Sequence, residues 1–220
     1  MKMDIRREID AMPFRKHLND EEYRNILACA RINEYKKGSL VYSPEHECLG
    51  LIKVLSGDIR AFMMSEEGRE VALYHVRKSD IDLLSASCVI NQISFETQMV
   101  ADSDCMLLIL PAACLARLKK NNLAMRCFIY EKLCERFSDV MKLMQTMLFT
   151  RIDKRIASLL LESGKDELHI THEEIAGCIN SSREVVSRAL KDMERKSVIR
   201  LGRGRILITD RTGLEDIAYC

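Results

Sequence analysis

Apolar positions first recur at helical spacing near residue 20. Asn19 stands three residues before Glu22, the separation at which the two side chains can cap a helix start, and Ile26 with Leu27 supply one apolar face. A short helix ending before Ile32 is expected. From there to about Leu110 the pattern changes to short β-rich runs separated by the turn signals Lys37-Gly38, Ser56-Gly57-Asp58 and Glu66-Glu67-Gly68. The runs LGLIKVL, DIRAFMM, EVALYHV and CMLLILP fit half-buried or wholly buried strands of a barrel or sandwich, and Pro111 ends the last and opens a helix.

Residues 122–149 contain no Gly or Pro, and Tyr130, Leu133, Phe137, Val140, Met144 and Met147 recur at alternating spacings of three and four. That seam lets two helices pack knobs into holes, so this segment reads as a dimer helix. Ile129, Met141 and Leu148 make a second apolar edge, available for packing within the chain. The seam breaks at Phe149-Thr150-Arg151, and Thr150 with Asp153 repeats the capping spacing, which predicts a new helix from about Ile152 to Glu162 and a domain boundary near residue 150.

Two further capping pairs follow in succession: Thr171 with Glu174, and Ser181 with Glu184. Ile175, Ala176 and Ile179 give the first helix an apolar face, and Val185, Val186, Ala189, Leu190 and Met193 do so for the second. Two short helices joined by a tight turn make a helix-turn-helix, with Ala176 and Gly177 expected where the helices come closest. VIRLGRGRILIT then reads as a β-hairpin around Gly202-Arg203-Gly204, which completes a winged helix.

Composition changes this picture in one place. The chain of 220 residues carries a formal net charge of only +1, yet Arg183 to Arg205 holds eight basic residues against three acidic ones, a local excess suited to phosphates. Arg183, Glu184, Ser187 and Arg188 lie off the apolar face near the start of the second helix, the end that enters the major groove in helix-turn-helix complexes. Arg can bond both acceptors of a guanine and Glu can accept from a cytosine amino group, so the set suits a mixed G/C core. Ser181, Ser182, Thr171 and the wing residue Arg203 complete the expected DNA-binding set. A solvated charged face would explain any one of these residues, but not their combination with two caps, a wing and a basic cluster.

No stretch approaches the roughly 18 apolar residues of a membrane span, and a cytoplasmic protein with no membrane partner is expected. The nine cysteines are scattered, odd in number and never spaced as CxxC, so burial as small hydrophobes is their ordinary role; a redox or metal role for those before residue 122 is the alternative. The β region offers no HxH, HExxH or paired carboxylates, so no enzyme and no metal site are expected. A protein-interaction module whose basic face is incidental is the remaining alternative.

The segment ITHEEIAGCINSSREVVSRALKDMERKSVI is similar to the helix-turn-helix signature of the Crp/Fnr family, and LSGDIRAFMMSEEGREVALYHV resembles that family's sensor strands. The resemblance implies an α+β fold in three parts: a cupin-like double-stranded β-helix, or β-roll, over 1–121 with flanking helices, a dimerisation helix over 122–149, and a winged helix-turn-helix over 150–220. It implies a homodimer on a palindromic double-stranded DNA site, with RNA polymerase as a further partner. By the same resemblance Arg183, Glu184 and Arg188 match base-contacting positions, and Ser187 one used in the Fnr branch.

The family's effector chemistry does not carry over. Where cyclic-nucleotide binders place Gly-Glu and Arg-Ser pairs, this chain has Leu83-Leu84 and Phe95-Glu96, which put a carboxylate near the phosphate and leave no Arg to pair with it. Val140 and Met141 stand where the dimer helix would meet adenine, and neither side chain can hydrogen bond. No cysteine precedes Cys29 to begin an iron–sulfur site of the Fnr kind, although Cys88, Cys105 and Cys114 could approach one another, and His46 and His75 are read as ordinary hydrogen-bonding residues. No cofactor is expected. An unidentified small effector is expected in an apolar pocket formed by Leu83, Leu84, Phe95, Tyr130, Leu133 and Phe137.

Overall fold

The computed structural model describes residues 4–45, 48–66, 68, 70–83 and 97–219. The chain divides into two compact units, one of residues 1–69 and 73–141, the other of residues 70–72 and 142–220.

The first unit opens with helix α1 (Ile5–Asp10), capped by Asp4, and helix α2 (Asp20–Cys29), whose start is the Asn19/Glu22 box with both bonds present. Helix α1 was not foreseen, because its only apolar pair, Ile5 and Ile9, is set among alternating charges. Among the described residues eight strands follow: β1 (Arg31–Tyr35), β2 (Leu40–Tyr42), β3 (Leu51–Ser56), β4 (Ile59–Met64), β5 (Glu70–Val76), β6 (Ile81–Asp82), β7 (Gln98–Ala101) and β8 (Cys105–Leu110). They form two four-stranded sheets, in the orders β1-β8-β3-β6 and β2-β7-β4-β5. Gly57 closes the β3–β4 turn at positive φ, where a Cβ would run into the Asp104 carbonyl.

Side-chain alternation explains why two of the runs are continuously apolar. Along β3, Ile52 and Val54 enter a core shared with Ile59, Val76 and Met99 of the other sheet, whereas Leu51 and Leu55 enter a second core. Along β8, Leu107 and Ile109 join the first of these, and Leu108 and Leu110 the second. This sheet is therefore covered on both faces, and a polar side chain on either side of β3 or β8 needs a partner. Lys53, on the helix-facing side of β3, is neutralised by Glu8 of α1 at 2.9 Å, with both side chains mostly buried.

Helix α3 (Ala112–Asn121) starts at Pro111, as expected, and helix α4 (Leu123–Phe149) follows after a single residue. That residue, Asn122, accepts from the Met125 amide and donates to the His17 carbonyl and the Glu22 carboxylate, so one amide side chain joins the starts of α2 and α4. Met125, Phe128 and Ile129 bury the first turns of α4 against the second core, where Phe128 meets Phe14 edge-on at 5.1 Å.

The phase of α4 differs from the sequence expectation. Leu133 packs on the helix-covered core and Val140 on the inter-sheet core, so both face their own subunit. The outward ridge consists of Cys127, Tyr130, Cys134, Phe137, Met141, Met144 and Leu148, still spaced by threes and fours. Phe137 is 69% exposed and Leu148 65%.

Candidate nucleic-acid interface

The second unit contains helix α5 (Ile152–Glu162), strand β9 (Glu167–Leu168), helices α6 (His172–Cys178) and α7 (Arg183–Arg195), hairpin strands β10 (Ile199–Gly202) and β11 (Arg205–Ile208), and helix α8 (Arg211–Tyr219). One core holds them: Ile156 and Leu160 of α5, Ile175 of α6, Val186, Leu190 and Met193 of α7, Ile206 and Ile208 of the hairpin, and Leu214 of α8. Helix α5 has the bounds expected but not the cap. Arg151 is its N-cap with no side-chain bond, and the Asp153 carboxylate takes the Arg151 guanidinium and the Lys154 amide.

Helix α6 begins at the Thr171/Glu174 box, in which the Glu174 amide donates to the Thr171 hydroxyl and the Thr171 amide to the Glu174 carboxylate. Those bonds hold the Glu174 carboxyl below its usual range, so the stability the box contributes is fully present above that range and is lost as pH falls to the lowered value. Thr171→Ala is expected to lower stability by about 1 kcal/mol, read as a shift in a urea denaturation midpoint.

The end of α6 differs from expectation at Gly177, beside which a Cβ would meet nothing. The turn is set instead by Asn180, at φ 50°. Its amide donates to the Gly177 carbonyl and the Ser181 amide to the Ala176 carbonyl, a Schellman closure in which Asn takes the left-handed position. Ser182, one residue beyond the expected Ser181, then caps α7 by accepting from Val185.

Burying Val186, Leu190 and Met193 turns the opposite side of α7 to solvent. Arg183, Glu184, Arg188 and Lys191 are exposed there, at the spacing of successive turns. Arg188 leans back on the Glu184 carbonyl at 3.4 Å. The Glu184 carboxyl is held below its usual range, first by its own backbone amide, then by the Ser182 hydroxyl and the two arginines. Ser187 is half-buried on this side, and its hydroxyl lies 2.8 Å from Nδ1 of His172, at the start of α6. Sequence reasoning missed His172, because nothing in residue spacing shows which side chain on α6 meets which on α7.

Arg203 and Gly204 form the tip of the hairpin, Gly204 at positive φ, with Arg203 exposed. Of the local positive excess, Arg195 and Lys196 are paired with Asp192, and Arg205 with Glu167. Among the described residues Arg183, Arg188, Lys191, Arg200 and Arg203 make no salt bridge, so these are the cations that phosphates or bases can take. Thr171, Ser181, Ser182 and Ser187 reach the same unit with their oxygens wholly or partly committed to caps or to His172 in the first, third and fourth cases.

Of the six side chains expected to form an effector pocket, four are among the described residues. Leu83 is buried in the helix-covered core and Leu133 packs against it, whereas Tyr130 and Phe137 are exposed on α4, and Leu84 and Phe95 lie outside the described residues. Of the cysteines weighed as a group, Cys105 is in the inter-sheet core, Cys114 packs on the helix-covered core, and Cys88 lies outside the described residues. His75 rests against Asp102 at 3.3 Å; His46 and Glu96 lie outside the described residues. Among the described residues no helix is long and apolar enough to cross a membrane.

Comparison with known proteins bears on the whole chain. Residues 154–217 match the family described as the Crp-like helix-turn-helix domain. A solved transcriptional regulator of the Crp/Fnr family from Eubacterium rectale is 36% identical, with a TM-score of 0.85 over 95% of this chain and 99% of that one. The transcriptional regulator SdrP of Thermus thermophilus is 27% identical over 176 residues, 76% of this chain and 82% of its own. The c-di-GMP-responsive regulator CLP of Xanthomonas campestris shares the fold, at 19% identity and TM-score 0.66 over 86% of this chain and 99% of its own. These relatives are regulators of transcription and not enzymes. With a β-roll before a long helix and a winged helix-turn-helix after it, the chain belongs to the Crp/Fnr family of transcription regulators.

Proposed function

We propose that the chain acts as a homodimer that reads a palindromic double-stranded DNA site with Arg183, Glu184, Ser187 and Arg188, while Arg203 of each wing holds the flanking backbone. The observation that carries this reading is that Arg183, Arg188 and Lys191 are exposed on the side of α7 turned away from its core and, among the described residues, make no salt bridge. Crp/Fnr regulators bind DNA and are typically dimeric, and the exposed apolar ridge of α4 supplies a surface for the second copy. In this reading residues 1–121 sense, 122–149 pair the subunits and 150–220 bind DNA. A small effector other than a cyclic nucleotide biases the populations, and RNA polymerase is the downstream partner.

Selection from random duplex DNA is expected to return a two-fold site with half-site centres about one helical turn apart. Affinity for it should fall steeply with salt, as counterion release requires. Arg188→Ala is expected to cost about 1–3 kcal/mol of discrimination at one base pair, whereas Arg203→Ala should weaken all sequences alike and flatten the salt slope by about one ion. Binding without sequence preference, or without salt dependence, would favour the protein-interaction reading instead.

A further inference from the structure

We infer that Cys29 and Cys114 form a redox-active dithiol, which a hydroperoxide oxidises to a disulfide that fastens α2 to α3. The site lies within the first unit and needs nothing from the DNA-reading proposal.

Cys29 is the last residue of α2 and Cys114 lies in the first turn of α3. Both are half-exposed, and both line a groove of about 530 Å³ between these helices, with Asn25, Pro111 and Arg117. The Cys29 thiol donates to the Ile26 carbonyl at 3.4 Å, and the Cys114 thiol is near enough to shift its ionisation. Two thiols that line one open groove and act on each other's ionisation need little movement to bond. Cys48 is already disulfide-bonded.

The pair is also divided into two roles. The Cys114 thiol, with Arg117, holds the Cys29 thiol below its ordinary range; the same proximity, with burial, pushes Cys114 up. Cys29 is therefore the thiol that ionises first and attacks, and Cys114 resolves. The Cys29 thiolate takes one peroxide oxygen, the O–O bond breaks, and the leaving alkoxide or hydroxide is protonated, giving a sulfenic acid at Cys29. Once Cys29 is no longer an anion, its hold on the Cys114 proton ends. Cys114 then loses that proton and attacks the Cys29 sulfur, the S–O bond breaks, and water leaves. Two thiols and one hydroperoxide become one disulfide, one alcohol or water, and one water.

The test uses the full chain, reduced, freed of reductant and treated with stoichiometric hydrogen peroxide. Peptide mapping under non-reducing conditions should show a Cys29–Cys114 link, lighter by two hydrogens than the separate peptides, within one chain and at a rate independent of protein concentration. Cys114→Ser should abolish the link and let the Cys29 sulfenic acid accumulate, trapped by dimedone; Cys29→Ser should abolish both link and adduct. Circular dichroism shows whether each variant is folded, and Cys114→Ala and Cys29→Ala serve as replacements if a serine variant is not. The inference is overturned if folded wild type yields no such link, or if Cys29 in Cys114→Ser gains dimedone no faster than exposed Cys127.

Discussion

Phe137→Glu with Met144→Glu is expected to leave each chain folded but unable to pair, and to lower affinity for a two-fold DNA site by about 10²–10⁴. The argument begins with covering. Cys127, Tyr130, Cys134, Phe137, Met141, Met144 and Leu148 make an exposed outward ridge, with Lys119 of α3 reaching over the Tyr130 ring at its start. Alternating steps of three and four are the period that a second, supercoiling helix can follow. Carboxylates at two central positions of such a seam would face their own copies across the two-fold axis, unpaired and desolvated. Neither substitution touches a core of the single chain, so the fold should survive. A separated subunit engages one half-site, and loses the effective concentration that tethering gives the second. Sedimentation of the variant as a folded monomer, with a matching loss in a binding titration, is the expected pair of results. A variant that remains dimeric would show that some other face joins the subunits.

Asp82→Ala should destabilise the first unit by about 3–5 kcal/mol, because it strands a charge. Asp82 is 0% exposed, and its carboxylate accepts from Nε of Arg136 at 2.8 Å. The Arg136 guanidinium lies 4.6 Å from the centre of the Tyr74 ring and continues to Asp139 at 3.0 Å. Removing the buried anion leaves most of that cation within the protein with a weaker set of partners. Arg136→Met in the same chain should recover much of the loss, since the stranded charge is then gone and an apolar stem of similar length remains. Urea denaturation of wild type, both single variants and the double variant gives the cycle. If the double variant is as unstable as the sum of the singles, the ion pair is not the source of the effect.

Capping chemistry made α2, α6 and α7 legible from letters, because a cap is a local matter. Asn19 with Glu22 and Thr171 with Glu174 start helices as expected, and Ser182 displaces Ser181 by one residue only. Continuous apolar runs likewise announced β3 and β8, although only the fold shows that each is enclosed from two sides. What failed to show in sequence is what depends on pairing of distant surfaces. Helix α4 has apolar residues on two edges, and spacing cannot say that Leu133 and Val140 turn inward while Tyr130 and Phe137 turn out. The placing of Cys29 and Cys114 on one groove is of the same kind, because β1 to β8 intervene between them in sequence.

The bond between His172 and Ser187 sets what the second residue can offer a nucleobase. When Nδ1 of the imidazole carries the proton, it donates to the serine oxygen and leaves the hydroxyl hydrogen for a base acceptor such as N7 or O6 of guanine. When Nδ1 is bare, that hydrogen is spent on the ring, and only a lone pair faces the groove, fit for the amino group of adenine or cytosine. If Ser187 meets a base as proposed, a ring tautomer one helix away thus decides between giving and taking there.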